Sequence, residues 1–118
     1  MSYVDGFVLV VPTKKLPAYT KLAKLAAKVW KENGALEYYE CALEDGTAPM
    51  GIPFPKLTAA KKNETVMFSW ITYKSKAHRN AVNKKVMNDQ RLLQLDHDDM
   101  PFDLKRMTYG GFKPIVKA

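Results

Sequence analysis

The feature that most constrains the fold of this chain is a pair of predicted long strands, Tyr3–Val11 and Glu64–Tyr73, that are apolar on both faces. Successive side chains of a strand point to opposite faces, so a sheet with one face in water carries polar residues at every second position. Valine and aromatic residues occupy both alternating sets here. Both faces of the sheet are therefore expected to be covered.

The remaining pattern completes a β-α-β-β-α-β order. Pro17 and Gly34 bracket a first helix, and Ser75 is a suitable N-cap for a second. Shorter strands are predicted over residues 35–43 and 107–116. Right-handed crossovers place the first and third strands in the centre. The sequence thus predicts one α+β domain over residues 1–118, a ferredoxin-like sandwich with a four-stranded antiparallel sheet in the order 4-1-3-2 and two helices on one face.

Two helices can cover only one face of such a sheet. The remaining long segment, residues 44–63, is rich in Gly and Pro and is predicted to be a loop, either a lid or a segment packed against its own domain or a partner. It is too small to cover the second face. A second copy of the chain is the simplest cover, so the sequence predicts a homodimer.

Composition restricts the class of protein. The single cysteine, Cys41, excludes an internal disulfide framework and is typical of a reducing compartment. The longest apolar run, Phe7–Val11, is too short to span a bilayer, and no basic stretch precedes an apolar one as in a signal peptide. A cytoplasmic location without membrane contact is expected. The net charge of +7 is spread along the chain and fits either solubility or attraction of an anion.

Familiar catalytic motifs are missing from the sequence: it contains no phosphate loop, no GxGxxG, no CxxC pair and no HExxH. No cofactor is therefore predicted. The run Asp96–Asp99 contains residue types that bind metals, but adjacent residues converge poorly on one ion. It is interpreted as an acidic surface loop, and no metal site is predicted.

His78 and Arg79 lie one turn into the second predicted helix. The positive end of the helix dipole favours bound anions and a neutral imidazole there. His78 is the candidate catalytic residue, as a general acid or base beside an anion held by Arg79. The alternative is that His78 is a solvated or capping residue.

Polar residues on the predicted strands are the other candidates. Asp5 lies in a central strand, where a carboxylate is costly unless it is paired, and Arg106 is its predicted partner. Glu37 and Glu40 are three positions apart and must point to opposite faces, so either one, but not both, could face a cavity. The predicted pocket between sheet and helices has a polar lining and two apolar walls, formed by Asp5, Glu40, His78, Arg79 and Arg106 and by Tyr38 and Trp70.

Several segments together resemble the YbaA-like bacterial family of unknown function (domain of unknown function 1428), in the same order and over nearly the whole chain. These segments are Tyr3–Phe7, Gly34–Tyr38, Phe68–Ile71, Tyr73–Ser75, Met100–Asp103, Lys105–Met107 and Tyr109–Phe112. The resemblance implies membership of the dimeric α/β-barrel superfamily, in which two ferredoxin-like sheets pack face to face. That superfamily includes cofactor-independent monooxygenases, haem-dependent enzymes and proteins with no known reaction, so the resemblance supports a dimer and implies no particular chemistry.

Three functions stay open at this point. The chain could bind a small, anionic molecule or act as a cofactor-independent enzyme in a sheet–helix pocket. It could instead be a non-catalytic dimeric interaction or stress-associated protein. RNA binding is disfavoured, because the third strand, Val66–Trp70, departs from the Gly-Phe-Gly-Phe-like run of RNA-recognition modules.

Overall fold

The computed structural model describes residues 2–118, whose centre is a pair of long antiparallel strands. Strand β1 (Tyr3–Pro12) pairs with β3 (Glu64–Tyr73) over its full length, with Tyr3 opposite Tyr73. The shorter strands β2 (Glu37–Ala42) and β4 (Thr108–Phe112) add at the edges, in the order β2-β3-β1-β4. The long apolar strands therefore occupy the two central positions, as the sequence predicted.

Four α-helices accompany the sheet in the described part of the chain: α1 (Leu16–Glu32), α2 (Phe54–Leu57), α3 (Lys76–Met87) and α4 (Gln90–Leu93). Pro17 occupies the first turn of α1, where its missing N–H costs nothing. The chain leaves α1 through Gly34, whose φ of 115° is unfavourable for residues with a side chain. The predicted N-cap of α3 is confirmed, because the Ser75 hydroxyl accepts a hydrogen bond from the His78 backbone N–H.

Both long helices lie on the same face of the sheet. Val29 of α1 and Val82 of α3 pack with Ile71 and Tyr73 of β3 in one core cluster. A second cluster joins β1, α1 and β3 and contains Leu9, Val11, Tyr19 and Met67. The α+β class, the antiparallel sheet and the helices on one face are thus confirmed.

The other side of the sheet, called the open face below, carries no long helix in the described chain. Its strand positions are Val4, Gly6, Val8, Val10, Pro12, Glu37, Tyr39, Cys41, Glu64, Val66, Phe68, Trp70, Thr72, Thr108, Gly110 and Phe112. The ring centroids of Phe54 in α2 and Phe68 in β3 are 6.4 Å apart. The Gly/Pro-rich segment, residues 44–63, therefore reaches this side of the sheet. Even so, Tyr39, Phe68 and Phe112 remain 47%, 46% and 60% exposed.

The edge strands are shorter than the sequence predicted. Strand β4 ends at Phe112, so Pro114 lies beyond the sheet. Proline lacks the N–H that would continue the ladder, which accounts for the early end. Within residues 2–118, no helix has both the length and the apolar composition needed to cross a membrane.

Candidate functional site

A cavity of about 320 Å³ lies between the sheet and α1. Strands β1, β2 and β3 form its floor, and α1 forms one wall with small side chains such as Ala23 and Ala26. The end of α3 and the segment 88–107, which connects α3 to β4, line the remaining side with apolar residues including Leu92 and Met100. The fold thus provides the sheet–helix pocket that was predicted.

A carboxylate with two phenols forms the polar part of this cavity. Glu40 of β2 points to the helix side of the sheet, and its Oε1 accepts a hydrogen bond of 2.8 Å from the Tyr19 hydroxyl of α1. Its Oε2 accepts a second bond of 2.8 Å from the Tyr38 hydroxyl, two residues away on the same face of β2. All three residues line the cavity.

The two phenols are held in their protonated form. Burial, and then the negative charge of Glu40, raise the pKa of Tyr19 and of Tyr38 far above the usual value for tyrosine. Both hydroxyl protons are donated to Glu40. The free lone pairs of this cluster can therefore only accept hydrogen bonds from a further molecule.

Aromatic rings surround the cluster. The Phe102 ring lies edge-on to Tyr19 with centroids 5.6 Å apart, and the Trp30 ring lies 6.1 Å from Tyr38. Both rings also line the cavity. The site is therefore an aromatic-walled, mainly apolar space with one concentrated group of acceptors, and its lining also includes Ser69 and His97.

The cavity also differs in charge from the rest of the chain. The sequence has 19 Lys and Arg residues, yet none of them is among the cavity-lining residues of the described chain. Glu40 and His97 are the ionisable groups there apart from the tyrosines. A basic protein thus encloses a cavity whose formal charge is negative.

Asp5 and Arg79 form a second, separate polar group near the other end of the sheet. Asp5 is buried at 7% exposure, and Arg79 Nε lies 3.2 Å from its Oδ1. Nη2 of Arg79 donates to the Tyr3 hydroxyl at 3.2 Å, and Nη1 donates to Asn80. The guanidinium lies directly over Gly111, where a Cβ would collide with it, so the glycine at this position permits the close approach.

The predicted pairing of Asp5 with Arg106 is wrong. Strand β4 runs antiparallel to β1 and puts Gly111, not the start of the strand, opposite Asp5. Arg106 lies at the far end, where its Nη1 donates to Glu64 at 2.7 Å. This ion pair lowers the pKa of Glu64 and raises that of Arg106. Neither Asp5 nor Arg106 lines the cavity.

Trp70 is also on a different side from the one predicted. It lies on the open face, stacked on Tyr39 with ring centroids 4.8 Å apart, and so forms no wall of the sheet–helix cavity. Its position follows from the register, because even-numbered residues of β3 point away from the helices. Of the seven predicted site residues, the structure brings Tyr38 and Glu40 together in the cavity, and Asp5 and Arg79 together outside it.

His78 is engaged at the start of α3, outside the cavity lining. Its Nδ1 accepts a hydrogen bond of 2.9 Å from the Lys74 backbone N–H, and its ring packs edge-on against Tyr73. Nε2 lies beside Gly34 at the end of α1. These contacts support the capping alternative over the catalytic one.

We accordingly expect His78→Ala to lower the free energy of unfolding by about 1 kcal/mol, the usual contribution of one such hydrogen bond. Chemical denaturation followed by circular dichroism measures this. His97→Ala, which removes an exposed histidine, serves as the control and should change stability little. An unchanged stability in His78→Ala would contradict the capping role.

Sequence reasoning missed several cavity residues, above all Tyr19, Trp30 and His97. Tyr19 and Trp30 recur with other apolar residues of α1 at spacings of three and four, a pattern that indicates a core-facing stripe rather than a polar site. A tyrosine in a core-facing helical stripe carries a hydroxyl that needs a buried partner, and this signal could have identified Tyr19. No cluster of three or more His, Cys, Asp or Glu side chains suited to a metal ion occurs within residues 2–118.

Comparison with known proteins places this chain among uncharacterised relatives. It is 47% identical over 116 residues to the uncharacterized protein YbaA of Escherichia coli strain K12, with 98% of each chain covered, and equally identical to YbaA of Shigella flexneri. An uncharacterized NIPSNAP domain protein from Burkholderia xenovorans has a similar structure, with a TM-score of 0.55, 15% identity and coverage of 98% of this chain and 97% of that one. At that identity the likeness concerns the fold alone. The family model described as protein of unknown function (DUF1428) matches residues 2–104, and the chain belongs to this family.

Proposed function

We propose that this protein binds a small, largely apolar molecule in the cavity between the sheet and α1. The observation that carries the proposal is the Glu40 carboxylate, held by Tyr19 and Tyr38 at the wall of a mainly apolar space. A cavity of 150 Å³ accommodates benzene, so about 320 Å³ has room for a bicyclic molecule. Ligand sites commonly combine apolar walls with a few convergent polar groups in this way.

The polar cluster is costly as a purely structural device. Glu40, Tyr19 and Tyr38 point toward the helices, where apolar side chains would need no desolvation of polar groups. Two hydrogen bonds compensate part of that cost, and each carboxylate oxygen keeps lone-pair capacity beyond the one bond that it accepts. A ligand that completes these bonds explains why acceptors occur at this place.

Filling the cavity should weaken the binding of small molecules. We expect Ala26→Phe on α1, which places a ring inside the cavity, to weaken the binding of neutral bicyclic aromatics such as 2-(1-naphthyl)ethanol by at least about tenfold, or 1.4 kcal/mol. Isothermal titration measures the affinity. Ala81→Phe on the exposed side of α3 is the matched control. Equal affinity in both variants would show that the compound binds elsewhere.

We further infer that the partner covering the open face is a second copy of the chain. The accessible surface is 8364 Å², whereas a monomeric globule of 13.4 kDa exposes about 6500 Å². The radius of gyration is 15.1 Å, against about 13.5 Å for a compact domain of this length. Loops contribute to the excess of accessible surface. The excess is nevertheless of the size that each subunit of a stable dimer buries.

The charge of the open face favours a protein partner over nucleic acid. Its exposed aromatic residues resemble a base-stacking surface. However, the described strand positions of this face include no Lys or Arg, and their charged side chains are Glu37 and Glu64, of which Glu64 is paired with Arg106. Phosphate backbones require cationic contacts, so RNA would be repelled by a face on which apolar side chains of a second copy pack well.

A further inference from the structure

We infer that the molecule bound in the cavity is an apolar amine or another organic cation with N–H donors, held by the Glu40 carboxylate. This inference rests on the proposed function and specifies its ligand. Both phenol protons of Tyr19 and Tyr38 are committed to Glu40, so the cluster offers acceptors and no free donor. A ligand must therefore donate hydrogen bonds to it.

The negative charge of the cavity lining indicates which kind of hydrogen-bond donor the ligand carries. The cavity lining within residues 2–118 includes Glu40 and no Lys or Arg, although the chain as a whole carries a net charge of +7. An anion there would meet the Glu40 carboxylate, with no Lys or Arg among the lining residues to compensate it, and the other ionisable lining residue, His97, is exposed. An ammonium group would instead form a charge-assisted hydrogen bond, which is about twice as strong as a bond between neutral groups.

The aromatic walls also suit a cation. Tyr19, Trp30, Tyr38 and Phe102 contribute rings to the lining, and Trp30 and Tyr38 lie 6.1 Å apart. Ring faces attract organic cations, and tryptophan does so most strongly. A carboxylate beside several rings is the combination that recognises an amine on an apolar body.

The alternative, an anionic ligand, was predicted from Arg79, and this residue is engaged elsewhere. Its guanidinium is paired with Asp5 and donates to Tyr3 and Asn80. It is also absent from the cavity lining of the described chain. Arg79, from which an anionic ligand was predicted, therefore lies outside the cavity.

Three bicyclic probes of similar size test the inference: 2-(1-naphthyl)ethylamine, 2-(1-naphthyl)ethanol and 1-naphthylacetate. In titrations at pH 7 the amine should bind most tightly, the alcohol less tightly and the carboxylate least. The affinity should fall about tenfold or more from each probe to the next. The chain has two tryptophans, so the indole N–H signals in nuclear magnetic resonance report the place of binding. The signal of Trp30, in the cavity wall, should shift, and that of Trp70, on the open face, should not.

A pair of variants on β2 measures how much the negative charge of Glu40 contributes to binding. Glu40→Gln keeps the size of the side chain and should weaken the amine at least tenfold while changing the alcohol less than threefold. Glu37→Gln is the matched control, because Glu37 lies on the same strand but on the open face, where it accepts a hydrogen bond from Thr72. It should leave both affinities unchanged.

The outcomes separate the two proposals. If all three probes shift Trp30 with equal affinity, or the carboxylate binds most tightly, the protein binds small molecules but the inference of a cationic ligand is wrong. Equal weakening of amine and alcohol in Glu40→Gln would also overturn it. If no probe shifts Trp30 at millimolar concentration, the proposed function fails together with the inference.

Discussion

Replacing Arg79 with methionine is expected to lower the free energy of unfolding by about 3–5 kcal/mol, because it leaves a buried carboxylate without a cation. Asp5 is 7% exposed, and Arg79 is the cation that forms a salt bridge with it. Methionine retains most of the side-chain length, so the loss comes mainly from the charge. Urea denaturation at neutral pH measures the difference.

The matched control is Arg91→Met. Arg91 forms ion pairs with Glu32 and Asp89, but its side chain is 37% exposed. Exposed ion pairs contribute about 0–1 kcal/mol, so this variant should remain close to the parent. The double variant Asp5→Asn with Arg79→Met should recover much of the lost stability, because no uncompensated charge is left in the core. Equal stability of the two single arginine variants would contradict the structural role of the Asp5–Arg79 pair.

Replacing Phe68 with glutamate is expected to convert the protein from a dimer to a monomer. In one chain Phe68 is 46% exposed, so a glutamate carboxylate at this position can reach solvent in the isolated domain. In the proposed dimer it would bury two carboxylates without partners, at several kcal/mol each. Light scattering at micromolar concentration should give about twice 13.4 kDa for the parent and 13.4 kDa for the variant.

Tyr109→Glu is the control for this prediction. Tyr109 is 67% exposed and lies on the helix side of β4, stacked on Phe7 at 5.7 Å. A charge there does not meet the open face, so this variant should keep the mass of the parent. A parent protein that scatters as a 13.4 kDa monomer would refute the second copy as the cover. Circular dichroism verifies that both variants are folded.

The sequence by itself determined the four strands, the two long helices and the order of the strands in the sheet. Strands β1 and β3 have unbroken β-branched and aromatic runs, and a period of two assigns their side chains to faces without any knowledge of distant contacts. The same period places Glu37 and Glu40 on opposite faces, and the structure confirms it. Local chemistry was also sufficient for Ser75, because a helix cap depends on residues three positions apart.

Only the tertiary structure decided which polar groups meet. Asp5 pairs with Arg79 rather than Arg106 because the antiparallel register of β4 and the packing of α3 bring together residues that are far apart in sequence. Glu40 faces the cavity, and Tyr19 reaches it from α1, only because the helix lies on the sheet at a particular rotation. Periodicity assigns a residue to a face, but the partner across that face depends on register and packing angle, which arise from the whole chain at once.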